Sequence, residues 1–156
     1  MEWIESSPFG EVSESALESL VELCGTLPPD YIALVREING GVPVNRGFKF
    51  YNEAEEEEEE TYLSCFYPVT ADPTKANNDI DAFYVPVEEV KKDVLDNNMP
   101  GNRFVPVGQD VAGNLICISL EQEIYGEIHL MNHDYQEFYK LSMNIGSFLE
   151  SLYFEE

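Results

Sequence analysis

Leu115-Ile116-Cys117-Ile118-Ser119-Leu120 reads as a strand with Leu115 and Cys117 on one face and Ile116, Ile118 and Leu120 on the other. Successive strand side chains point to opposite faces, so this segment is apolar on both. It needs cover on two sides and belongs inside a sheet, not at its edge. Phe104-Val105-Pro106-Val107 precedes it across a turn marked by Gly108, Asp110, Gly113 and Asn114. Tyr125 to Met131 follows across the polar link Glu121-Gln122-Glu123. Three strands so close in sequence pair as a meander.

Helices flank this meander in sequence. Leu17, Leu20, Val21 and Cys24 recur at i, i+3, i+4 and i+7, the spacing of a core-facing helical stripe. The helix begins near Ser13 or Ser15, and Ser15 to Glu18 has capping-box spacing. Glu14, Glu18 and Glu22 share another of its faces, where like charges cost a few tenths of a kcal/mol per pair. A solvated face is the simpler account of that ladder; a face kept acidic for a partner is the alternative.

After Gly25, Leu27-Pro28-Pro29-Asp30 opens a second helix, with proline in the first turn. Tyr31, Leu34, Val35 and Ile38 form its stripe, and Asn39-Gly40-Gly41 ends it, with Gly40 suited to a left-handed position. Pro86-Val87-Glu88-Glu89 opens a third, with acids first and Lys91 and Lys92 later. Ile145, Phe148, Leu149 and Leu152 mark the last, which starts near Asn144. Met1 to Val12 is a lead-in whose Trp3 packs on the domain.

Val42 to Tyr51, interrupted at Asn45-Arg46-Gly47, and Thr61 to Tyr67 read as strands. Between them lie Glu53, Ala54 and the block Glu55, Glu56, Glu57, Glu58, Glu59 and Glu60. A like-charge block repels itself, so residues 53–60 are expected to be a solvated, mobile acidic loop at the tip of a hairpin.

The length of 156 residues suits a single domain, 1–156, that buries roughly 70% of its unfolded surface. With 44% apolar residues the chain has material for a core. Eight basic against 31 acidic side chains leave a formal net charge of −23. Such a field repels phosphate backbones and anionic lipid heads, so neither nucleic acid nor a membrane is an expected partner. It speeds association with a basic protein, although solubility alone also accounts for it. Three separated cysteines among apolar neighbours read as buried free thiols. The acidic start MEWIESSPFG lacks the apolar region of a signal peptide, which makes the cytoplasm the expected compartment.

Candidate chemical sites are incomplete. His129 and His133 have H-x-x-x-H spacing, but His129 falls in a strand, where four residues span about 13 Å. Asn77, Asp79, Asp81 and Glu88 take positions 1, 3, 5 and 12 of a calcium loop, yet Ala82 stands where glycine is needed and Pro86 lies inside it. There is no G-x-S-x-G elbow, and no base lies near Cys24 or Cys65 in sequence. No catalytic residue, metal or cofactor is expected, and the chain does not read as an enzyme.

Leu27-Pro28-Pro29-Asp30-Tyr31 followed by Ile38-Asn39-Gly40-Gly41 resembles the LPxxY…NGG signature of the SUKH superfamily, which includes yeast cell-wall-synthesis regulators and many bacterial immunity proteins. Phe104 to Gly108 with Gly113 to Ile118 resembles its later strand pair. Gly126 to His129 with His133-Asp134 resembles the next strand and its exit, and Ser147 to Leu152 the terminal helix. The order holds from about residue 13 to 153. The glutamate block and Ala71 to Val85 depart from the pattern.

The resemblance implies an α+β fold: a twisted, mostly antiparallel sheet flanked by about four helices. It implies protein binding rather than catalysis. The bacterial members neutralise polymorphic or contact-dependent toxins, many of them nucleases or deaminases. The expected function is therefore an immunity protein against a basic toxin; the alternative is a regulatory scaffold domain that binds a host protein. The expected contact residues are Glu55 to Glu60 for steering, with Tyr62 or Tyr67 as the packing anchor. The oligomeric state is left open by the sequence.

Overall fold

The both-faced strand forms as β8 (Leu115–Ser119), between β7 (Phe104–Asp110) and β9 (Ile128–Asn132) and antiparallel to each. A computed structural model describes residues 2–6, 11–53, 55–70, 85–86, 104–132 and 137–154. Ile116, Ile118 and Leu120 join the main core with Leu63, Ile128, Leu130 and Phe148. Cys117 turns the other way, into a second cluster with Phe104 and Met131, against which Leu115, Ile124 and Phe138 pack. Both faces are therefore covered, as the pattern required. The polar link between β8 and β9 is a 3-10 turn, Gln122–Ile124.

Among the described residues the sheet has eight strands. Its path runs β1 (Trp3–Ser6), β2 (Gly41–Pro43), β4 (Glu57–Phe66), β7, β8, β9 and β10 (Glu137–Ser142). β3 (Gly47–Asn52) branches off by pairing with the first half of β4. All of these pairings are antiparallel. Trp3 packs on the domain, its ring 6.0 Å from that of Phe66 in an edge-to-face contact. β10 is a strand for which the sequence reading assigned no element. Val69–Thr70 (β5) and Val85–Pro86 (β6) form a separate two-stranded parallel ladder.

The helices are α1 (Glu14–Cys24), α2 (Pro29–Glu37) and α3 (Ile145–Ser151). The α+β architecture is as the resemblance implied. Three α-helices appear among the described residues where about four were expected; residues 87–103, which carry the remaining helical pattern, lie outside them, as does most of the calcium-like segment. Of the two candidate caps, Ser13 is used: its Oγ accepts the Ala16 N–H at 3.1 Å. Ser15 is displaced from that role because the helix already starts at Glu14. Ala16, Leu17 and Leu20 are buried, and so are Tyr31 and Val35 on α2 and Ile145 and Phe148 on α3. Phe148 meets Phe48 and Phe66 edge-to-face at 5.3 and 6.4 Å. This ring cluster fixes α3 on the sheet.

The Asn-Gly-Gly motif is structural. Asn39 is buried and pairs with one backbone residue as a strand would: its Nδ2 donates to the Val69 carbonyl at 3.1 Å, and its Oδ1 accepts the Val69 N–H at 2.7 Å. Gly40 sits at φ +82°, and a Cβ there would lie 2.5 Å from the Pro68 backbone nitrogen. Only glycine satisfies both conditions.

Cys65 and Cys117 are both buried. Burial pushes the Cys65 thiol up to about 12. A raised acid pKa contributes stability that is complete below the unfolded thiol's value, about 8.5, and is lost as pH rises towards the folded one. A maleimide is expected to leave the Cys65 and Cys117 peptides unlabelled in the native protein and to label both in step with urea unfolding, read by peptide mass spectrometry. Native labelling at the unfolded rate would contradict this burial.

Candidate protein-binding surface

The glutamate block is not a loop throughout. The β3–β4 ladder continues through Lys49↔Glu60, Phe50↔Glu59, Tyr51↔Glu58 and Asn52↔Glu57, so Glu57 to Glu60 are strand residues. β3 stops at Asn52 and β4 begins at Glu57, with Glu56 in the left-handed region at φ +55°. The expected acidic loop is thus corrected to a short turn plus an acidic strand. The physical reason is the pairing partner. Strand alternation sends neighbouring glutamates to opposite faces, leaving those on one face about 7 Å apart. Across the ladder each meets an asparagine, tyrosine, phenylalanine or lysine and never another acid.

Alternation also decides what each position can do. Phe48 is buried, Phe50 stacks 5.1 Å from Tyr139 of β10, and Leu63 is in the core. Glu57, Glu59 and Thr61 share the parity of Leu63 and face that side. Asn52 Nδ2 donates to Glu59 Oε2 at 2.9 Å, which ties the half-buried carboxylate to the opposite strand. Thr61 Oγ1 donates to Asp110 Oδ2 at 3.1 Å. Asp110 is buried and also accepts the Ala112 and Asn114 N–H groups at 2.9 and 2.8 Å, holding the β7–β8 turn beside β4.

The outer face carries Lys49 and Tyr51 from β3 and Glu58, Glu60 and Tyr62 from β4. Tyr51 is 54% exposed. The Tyr62 hydroxyl donates to Glu60 Oε1 at 2.9 Å, and the Tyr153 hydroxyl donates to Glu60 Oε2. Lys49 Nζ lies 3.8 Å from Glu58 Oε1. Tyr153 is brought here by a backbone bridge to Gly47, whose N–H donates to the Tyr153 carbonyl at 2.9 Å. The ring lies so close that a Cβ at Gly47 would sit 2.5 Å from it. The two phenol donors hold the Glu60 carboxyl below the usual glutamate range, chiefly through Tyr153 and then Tyr62. Glu60 therefore keeps its charge to lower pH than an ordinary glutamate. Whatever it adds to stability is present above the unfolded glutamate pKa and lost as pH falls through the lowered one.

Of the sequence-predicted contact residues, Glu58, Glu60 and Tyr62 come together on one exposed face. Glu57 and Glu59 lie on the opposite face of the strand, and Glu55 and Glu56 in the turn. Tyr67 stands apart: it is buried beyond the far end of β4, and its hydroxyl donates to Gln109 Oε1 at 2.8 Å. Seven residues of extended chain from Glu60 put it roughly 23 Å away. The sequence reading missed Tyr51 and Tyr153. Strand alternation could have found Tyr51 once the register was known. Nothing local in the sequence indicates Tyr153, whose place depends on the chain end returning to β3.

His129 lies in β9 as expected. Its Nε2 is 3.1 Å from Glu127 Oε1, and its ring meets Phe104 edge-to-face at 5.2 Å. His133 falls outside the described residues. Among the described residues, no three His, Cys, Asp or Glu side chains group as metal ligands. No helix among them is long and apolar enough to cross a membrane.

No curated protein and no solved structure gives a significant match to this chain. The model of the SMI1 / KNR4 family (SUKH-1) matches residues 11–151. That span runs from the approach to α1 to the end of α3 and contains every element between them, so the chain belongs to the SMI1 / KNR4 family (SUKH-1).

Proposed function

We propose that this protein is a non-catalytic immunity protein that neutralises a bacterial toxin by direct binding, and that the outer face of the β3–β4 hairpin makes the contact. Membership of the SUKH-1 family supports a protein partner. The observation that carries the choice of surface is Glu60, whose carboxylate accepts from the Tyr62 and Tyr153 hydroxyls on an exposed strand. Those bonds restrain two aromatic rings and one charge before any partner arrives, which reduces the ordering cost of binding. Tyrosines with an acidic surround suit a basic partner: the acids raise the encounter rate, and the rings supply contact area at small entropy cost. A nuclease fits because it presents a cationic groove to phosphates. Glu55 to Glu60 then steer, and Tyr51, Tyr62 and Tyr153 anchor.

The test is co-expression with the product of the neighbouring gene, scored for survival and co-purification. Rescue from a toxic neighbour, lost in a Y51A/Y62A variant that keeps its thermal midpoint within a few degrees, is the expected result. Co-purification with a non-toxic host protein and no rescue would overturn the toxin reading in favour of a regulatory scaffold.

A further inference from the structure

A second surface on the molecule has both an apolar floor and an unbalanced charge. α1 and α2 leave between them a groove of about 400 Å³. Leu17, Val21 and Ile32 line its floor, and Glu14, Glu18 and Glu22 line the α1 side. Arg36 of α2 is the basic residue in the lining, and its Nη2 is engaged by Glu14 Oε2 at 2.9 Å. Among the described residues, Glu18 and Glu22 have no cationic partner.

This arrangement is unfavourable for α1 by itself. Carboxylates at i, i+4 and i+8 repel along one face. Glu22 lies near the C-terminal end, where the helix dipole disfavours negative charge and where no basic residue occupies the last turn. A cationic partner would remove both penalties at once. The glutamates step by one helical turn, about 6 Å each, so the matching cations recur at the same spacing. A helix lying in a groove between two others, with its apolar stripe on the floor, meets that requirement.

We infer that the α1–α2 groove is a docking site for an amphipathic helix of another protein, with an apolar stripe flanked by lysine or arginine at four-residue spacing. Glu18 and Glu22 pair with those cations, and Val21 and Ile32 receive the stripe. This surface is separate from the β3–β4 hairpin and does not depend on its role.

The probe is a synthetic helical peptide with leucines at i, i+3, i+4 and i+7 and lysines on both flanks, titrated into the 156-residue chain by calorimetry and amide NMR. Its scrambled sequence serves as control. The peptide is expected to shift amides of α1 and α2. E18K/E22K is expected to weaken it by about tenfold while raising the thermal midpoint of the free protein. E58K/E60K, the same change in net charge on the hairpin, is expected to alter peptide affinity by less than about threefold. The rise in midpoint together with the lost affinity separates a docking role from damage to the fold. Absence of binding overturns the inference. So does equal binding of the scrambled peptide, or equal weakening by the two charge reversals, since either reduces the effect to general attraction by an acidic protein.

Discussion

Replacing Asn39 with alanine is expected to destabilise the fold by about 2–6 kcal/mol, because it strands two buried backbone groups at about 1–3 kcal/mol each. Those groups are the N–H and C=O of Val69, both bonded to the Asn39 amide. Val69 is itself buried, so water cannot replace the lost partners without opening the structure. Aspartate is not expected to rescue: it can still accept the N–H but turns an oxygen towards the Val69 carbonyl. Urea unfolding of Asn39→Ala and Asn39→Asp measures the effect, and a loss below about 0.5 kcal/mol would show that the pairing contributes nothing. The expected size of the effect explains what the motif is for. Asn39 locks the exit of α2 onto β5, Gly40 lets the chain pass Pro68, and Gly41 enters the sheet opposite Phe66. The residues that carry the family likeness most clearly therefore build the fold rather than a binding site.

The second large effect is expected in association kinetics with the partner proposed above. Neutralising Glu55 to Glu58 by glutamine, which leaves the Glu60 bonds to Tyr62 and Tyr153 in place, is expected to slow association by about tenfold to a hundredfold at low salt, with the difference shrinking as salt screens the field. Dissociation should change little, since exposed charges act chiefly on encounter. Tyr51→Ala or Tyr62→Ala should do the reverse, speeding dissociation by about tenfold or more with a modest change in association. Tyr67→Phe should move neither rate, because Tyr67 is buried. Stopped-flow mixing over a salt series separates these cases. An association rate independent of salt would remove steering from the proposal while leaving the tyrosine face intact.

Local pattern and tertiary context contributed differently to these conclusions. The apolar stripes of α1, α2 and α3 were legible because helical period and core burial select the same residues. β8 was legible because a strand apolar on both faces has one place to go. The glutamate block was less legible: repulsion within a run is visible in sequence, whereas the residues that relieve it are not. Lys49, Phe50, Tyr51 and Asn52 lie across the ladder, and only its register shows that each glutamate faces one of them. Tyr62 and Tyr67 read alike in sequence, since both are aromatic and near the block. Yet β4 passes from an exposed end at Glu57 to a buried end at Phe66, and Tyr67 follows into the interior.

The sequence by itself determined α1, α2 and α3, the central meander and the sign of the electrostatic field. These depend on the period of apolar residues and on composition, both local properties. Tertiary structure alone decided which carboxylates share a face with which tyrosines. Tyr153 reaches Glu60 only because the chain end pairs with Gly47, across a separation of 93 residues from the carboxylate it binds. It also decided that α1 and α2 leave an acidic-walled groove between them. A contact of that kind is set by how elements pack, and no local pattern records it.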